Sequence, residues 1–87
     1  MAWIIYILKC GDSSLYTGIT NNLTKRLTAH SNGHGAKYTK GRGPLEHVYS
    51  ETAVDRSAAQ KRESSIKKLS RAGKLRLIAT SSLLSRT

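Results

Sequence analysis

The sequence predicts an α+β domain, a small three-stranded antiparallel sheet flanked by about three helices. Three observations lead there. The first fifty residues carry short apolar runs rich in β-branched and aromatic side chains, separated by turn residues. From Asp55 onward, helix caps and helical apolar spacing take over. A chain of 87 residues has room for one core, and strands followed mainly by helices pack as a sheet with helices laid on it.

Each element follows from its own residues. Trp3 to Leu8 reads as a buried strand, and Leu15 to Thr20 as a second. The Gly11-Asp12-Ser13-Ser14 stretch between them is turn chemistry, so the two form a hairpin. Asn21 or Asn22 can cap a first helix that ends by Asn32-Gly33. Leu45 to Glu51 alternates loosely around Leu45, Val48 and Tyr49 and is taken as the third strand. A second helix starts at about Asp55 or Ser57, with Asp55 as the better cap, and runs to Leu69. Ser70 caps a third, which reaches about Ala79. Residues 1–80 form the domain, and the polar tail 81–87 is expected to fray.

The charge balance is one-sided: fifteen Lys and Arg against five Asp and Glu, a formal net charge of +10. Such a surface attracts polyanions, and nucleic acid is the common one. The single cysteine, Cys10, can form no internal disulfide and leaves no Cys-rich zinc site; it fits a reducing compartment. The apolar run at Trp3 is six residues long, too short for an export signal or for a membrane helix of about 20 residues. A cytoplasmic location is expected, with no membrane partner.

Two helices turn polar groups inward. In the first, Leu23 and Leu27 recur at i, i+4, and Arg26 and His30 fall at i+3 and i+7 of the same count, on the same face. In the second, eight Lys and Arg between Arg56 and Arg76 surround one acid, Glu63, which shares a face with Ala59 and Ile66. Lys61, Lys67 and Lys68 mostly point elsewhere. An inward carboxylate needs a cation, a hydrogen-bond donor or a metal. Arg26 could neutralise it, or it could hold a hard cation such as Mg²⁺, which is often bound by one or two carboxylates plus substrate phosphate.

Phosphodiester hydrolysis needs a positioned water, a group to take its proton, positive charge for the transition state and a metal or acid for the leaving oxygen. Tyr6, Tyr16, Arg26, His30 and Glu63 can supply that set. A tyrosine is a poor base at neutral pH, its free pKa being about 10, and it would need a nearby cation or a relay through His30.

Those residues resemble the motifs of a GIY-YIG nuclease domain, in particular small stand-alone bacterial proteins related to the nuclease domain of excision-repair endonucleases. Ile4-Ile5-Tyr6 matches the first motif with Ile4 for its glycine, and Tyr16-Thr17-Gly18 the second with Thr17 for isoleucine. Arg26-x-x-x-His30 matches the helical Arg-His pair and Glu63 the metal-binding glutamate. The resemblance covers about residues 3 to 79. It implies a three-stranded antiparallel sheet with flanking helices and Mg²⁺- or Mn²⁺-dependent DNA cleavage with one metal ion. Glu63 would hold the ion and Arg26 would stabilise the scissile phosphate. Tyr6 or Tyr16 would help activate the water, and His30 would contact phosphate or assist proton transfer. Many members carry an asparagine after the glutamate; here no Asn follows Asn32. Members with recognised substrates usually have further domains that choose the DNA, so structure-selective, non-specific or partner-dependent cleavage is expected, in DNA repair or recombination.

Between the first helix and the third strand, Gly33, Gly35, Gly41 and Gly43 alternate with basic residues. Lys37, Lys40 and Arg42 are expected to touch backbone phosphates and Tyr38 to stack on a base, and Lys67 joins them as a nucleic-acid contact. RNA is an alternative substrate. The competing function is a basic nucleic-acid-binding module without catalysis; a small protein–protein adaptor has weaker support from the charge.

Overall fold

The central strand β1 (Trp3–Lys9) carries the chain's densest apolar run, and its middle is buried on both faces. The computed structural model describes the backbone of residues 3–31 and 43–85, with the side chains of residues 3–29 and 43–80. After β1 come β2 (Leu15–Thr20), helix α1 (Leu23–Ser31), β3 (Glu46–Ala53), α2 (Arg56–Lys67) and α3 (Arg71–Ser85). The sheet order is β2-β1-β3, both pairings antiparallel. The expected α+β class and three-stranded sheet are therefore the observed ones.

The turn chemistry sets the hairpin. Ser13 N–H donates to the Cys10 carbonyl at 2.9 Å, Cys10 N–H donates to the Ser14 carbonyl at 2.8 Å, and the Asp12 carboxylate accepts from Ser14 N–H at 3.0 Å. Register follows: Ile5 faces Ile19, Tyr6 faces Gly18 and Leu8 faces Tyr16. Because successive strand residues point to opposite faces, Ile5 and Ile7 lie on one side of β1 and Tyr6 and Leu8 on the other. Ile5 and Ile7 meet Tyr49, Ala59 and Ile66 to form the core, with Trp3, Leu15, Ile19, Leu77 and Ile78 at its margin. α2 thus covers the Ile5–Ile7 face, burying the positions Ala59 and Ile66 seven apart on one stripe.

β3 differs from its expected span of 45–51 and contains a bulge. Ile7 pairs with Tyr49 and Leu8 with His47, so Val48 is left over. That extra residue is why the alternation looked loose: Val48 and Tyr49, although adjacent, both pack on the core. α3 also differs, continuing past Ala79 to Ser85. No Gly or Pro lies between Ala79 and Ser85 to stop it, and the Thr80 hydroxyl bonds back to the Arg76 carbonyl at 3.0 Å. The expected caps are in place: Asp55 accepts from Ala58 N–H at 2.8 Å, and Ser70 Oγ accepts from Gly73 N–H at 3.1 Å.

One buried group is left unsatisfied. Thr17, on the α2 face of β2 opposite Ile7, is 3 % exposed, and its hydroxyl has no hydrogen-bond partner among the described residues. Thr17→Val keeps the shape and removes a desolvated hydroxyl. The variant should gain about 1 kcal/mol, read as a rise of roughly 4–8 °C in melting temperature for a domain of this size. An unchanged or lowered midpoint would mean that the hydroxyl is satisfied in solution.

Candidate active site

β2 and α1 are joined by two residues, which fixes Arg26 relative to the strand. The Thr20 hydroxyl accepts from Asn22 N–H at 3.1 Å and donates to the Asn22 carbonyl at 3.2 Å. The Asn22 side-chain oxygen accepts from Lys25 N–H at 3.1 Å, making Asn22 the helix cap. Arg26 then sits one turn into α1, and its side chain reaches back over the sheet to Tyr6.

There the Arg26 Nε–H donates to the Tyr6 hydroxyl oxygen at 3.4 Å, a long hydrogen bond, and Tyr16 lies close enough to act on the guanidinium electrostatically. The rings of Tyr6 and Tyr16 lie 6.3 Å apart at 51°, both on the face opposite the α2 core. Gly18 makes this arrangement possible. A Cβ at that position would come within 2.6 Å of the Tyr6 hydroxyl oxygen and 3.1 Å of the Tyr16 ring. The glycine of Tyr16-Thr17-Gly18 is therefore the space into which the tyrosines fold.

The electrostatics assign these groups. Burial pushes the Tyr6 phenol above its ordinary range; the Arg26 hydrogen bond opposes this without cancelling it, and the charge of Glu63 adds to the rise. Tyr6 in the free protein is thus a proton donor. Its hydroxyl also holds the Arg26 guanidinium charged more firmly. Beside the guanidinium opens a cavity of about 180 Å³, lined by Thr20, Asn21, Asn22, Lys25, Arg26 and Ala29. The first turn of α1 has no acid, and Lys25 and Arg26 bring two cationic side chains to the cavity's lining.

Glu63 is half-buried on α2, near enough for its charge to act on Tyr6. Its ion-pair partner among the described residues is Lys67, at 3.4 Å, and not Arg26. This corrects the expectation that Lys67 points away from Glu63. One turn along the same helix brings i and i+4 together, and Lys67 is long enough to reach. The other four acids are placed elsewhere. Asp12 bonds to Ser14, Asp55 caps α2, Glu51 accepts from Tyr49 and Arg62, and Glu46 stands exposed opposite Lys9. No cluster of three or more His, Cys, Asp or Glu occurs among the described residues. One carboxylate suits a hydrated hard cation and would be too few for a dehydrated cage.

His30 lies in the last turn of α1, but its side chain falls outside the described residues. Lys37, Tyr38, Lys40 and Arg42 also fall outside them. Sequence reading missed the Glu51–Arg62 contact of 2.7 Å, which with the Tyr49 hydroxyl (3.0 Å from Glu51) ties α2 to β3. The signal available was slight: Tyr49 and Glu51 are two apart on a strand, hence on one face.

Comparison with known proteins gives a consistent result. A model of the GIY-YIG catalytic domain matches residues 2–76. The chain is 60% identical to a UPF0213 protein of Clostridium perfringens over 79 residues, covering 91% of this chain and 85% of that one. It is 54% identical to a UPF0213 protein of Oceanobacillus iheyensis over 74 residues, covering 85% and 86%. Two solution NMR structures share the fold. The UPF0213 protein of Bacillus halodurans superposes with a TM-score of 0.60 at 40% identity, covering 92% of this chain and 85% of that chain. An E. faecalis protein gives 0.66 at 38%, covering 95% and 88%. With a family model matching residues 2–76 and a fold shared with these relatives, the chain belongs to the GIY-YIG catalytic domain family.

Proposed function

We propose that this protein is a divalent-metal-dependent DNA endonuclease that hydrolyses phosphodiester bonds through Tyr6, Tyr16, Arg26, His30 and Glu63. The family is generally one of nucleases that use divalent metals, so a nucleic-acid substrate follows from membership. The observation that carries the finer reading is the placement of Arg26, hydrogen-bonded to the Tyr6 hydroxyl beside Tyr16 and lining a cavity with Lys25. Glu63, whose charge reaches Tyr6, would supply the carboxylate.

In this reading the scissile phosphate enters the cavity at Arg26, whose guanidinium is fixed by Tyr6 before substrate arrives. A positioned cation of this kind stabilises charge as it develops, without reorganising. Tyr6, protonated, donates a hydrogen bond toward the phosphate. Tyr16, half-buried beside it, is left to orient the attacking water, with His30 assisting proton transfer. Glu63 would hold one Mg²⁺ or Mn²⁺, which would supply charge neutralisation at the leaving oxygen. Lys67 would release Glu63 as that cation arrives and turn to the backbone, alongside Lys37, Lys40 and Arg42, with Tyr38 stacked on a base. Residues 1–80 act as one catalytic domain, in the cytoplasm, with DNA choice left to substrate structure or to a selecting protein partner. Among the described residues no helix is long and apolar enough to cross a membrane.

A nicking assay on supercoiled plasmid, flap, single-stranded DNA and RNA, with Mg²⁺, with Mn²⁺ and with chelator, tests this. Cleavage that requires the metal and leaves 5′-phosphate ends is the expected result. The second reading, a non-catalytic nucleic-acid-binding module, draws on the Lys67 ammonium resting against Glu63 where a cation would lie. Binding without nicking on every substrate and metal would establish it instead.

A further inference from the structure

The positive surface has a second concave point that the site above does not use. At the far end of β2 from Arg26, the hairpin turn meets the start of α3. Arg71, the first residue of α3, donates from its guanidinium to the Ser13 carbonyl at 2.7 Å. Ser13 has φ 70, a left-handed conformation that helps aim its carbonyl outward from the turn. Between turn and helix lies a cleft of about 210 Å³, lined by Ser14, Leu15, Arg71 and Lys74.

Among the described residues the cations of this cleft face no carboxylate in an ion pair. Lys74 is half-buried, yet neither it nor Arg71 has an ion-pair partner among the described residues, where the ion pairs are Arg62–Glu51 and Lys67–Glu63. The first turn of α3 contains no acid. The carboxylate of the hairpin turn, Asp12, accepts from both the backbone N–H and the hydroxyl of Ser14. A lysine beside a guanidinium held by the Ser13 carbonyl is the donor set that phosphate takes.

Position then says which anion. Thr20 borders the cavity at Arg26 and Leu15 borders this cleft, so the two lie at opposite ends and, by alternation, on opposite faces of β2, an edge strand of six residues round which a bound strand would pass. Five steps of about 3.3 Å separate them by roughly 17 Å. A path of that length spans a few successive phosphates of one strand. We infer that the Arg71–Lys74 cleft is a second phosphate clamp, gripping the nucleic-acid strand a few nucleotides from the phosphate at Arg26. This rests on the nuclease reading and adds a footprint to it: productive substrates extend at least that far on one side of the cleaved bond.

The test measures binding of Lys74→Gln, which keeps most of the stem, and of Lys74→Ala, across DNA and RNA oligonucleotides and 50–200 mM salt. On long strands each variant should lose affinity, and its log–log salt slope should fall by about one. The ratio of wild-type to variant affinity should shrink about threefold between 50 and 200 mM salt. On strands cut to two nucleotides beyond the cleaved bond on that side, wild type and variants should bind alike. Circular dichroism on both variants separates a lost contact from a lost fold. Equal affinity and slope on long strands would overturn the clamp, while metal-dependent cleavage by the wild type would still stand. A wild type that binds no nucleic acid would overturn the nuclease reading itself.

Discussion

Glu63→Gln should bind DNA as tightly as the wild type and fail to cut it. Glutamine is isosteric, so α2 keeps its packing through Ala59 and Ile66. The charge lost at Glu63 is negative, which leaves the surface no less attractive to a polyanion. What disappears is the carboxylate that would hold the metal. Losing several kcal/mol of transition-state stabilisation, at 1.36 kcal/mol per tenfold, lowers the cleavage rate by about a thousandfold or more. Breaking the exposed pair with Lys67 should change stability by no more than about 0.5 kcal/mol. Nicking and filter-binding assays on one preparation read both halves. A variant that still nicks would remove Glu63 from the chemistry, and one that also stops binding would make its role structural.

Arg26→Ala is expected to be the next most damaging change. The guanidinium is both the charge facing the cavity and the partner of Tyr6. By comparison with the loss of one oriented donor at an oxyanion, cleavage should fall about 10²–10³-fold. Arg26→Lys should recover little, since a lysine has no planar fork to bond Tyr6 and a phosphate together. A second readout follows from the local electrostatics. The hydrogen bond and the charge of Arg26 both lower the Tyr6 pKa, so their removal should move its titration further upward, away from neutrality. NMR of the Tyr6 ring across alkaline pH would follow it. A Tyr6 titration that stays in place or moves down would show that Arg26 does not hold that phenol in solution.

The sequence made local structure legible wherever one short stretch contained its own cause. Gly11 to Ser14 contain the turn, Asn22 and Asp55 the caps, and Leu15–Thr20 the second strand to the residue. Legibility stopped where two distant elements decide together. The Val48 bulge depends on how β3 meets β1, so the local alternation looked irregular. Arg62 meets Glu51 across eleven residues, a partnership that neither stretch implies alone. Glu63 shows the same boundary. Helical spacing put it on the Ala59 face, but spacing could not choose between Arg26 and Lys67 as its counter-charge. The inward placement of Arg26 was readable, whereas its bond to Tyr6 needed the sheet register.

Gly18 sets a limit on how this site can vary. It brings no donor, acceptor or charge, yet the Tyr6 hydroxyl occupies the volume where its side chain would start. Gly18→Ala adds one methyl group, and the atoms it meets are tyrosine side-chain atoms rather than backbone, so the sheet should survive at a cost of about 1–3 kcal/mol. Cleavage should collapse as the Tyr6–Arg26 contact opens, a pairing that thermal denaturation and nicking would record side by side. A selection for fold alone would then accept alanine at 18, while a selection for cutting would accept only the residue with nothing there. In the ancestry of such an enzyme an empty position is inherited as strictly as a reactive one.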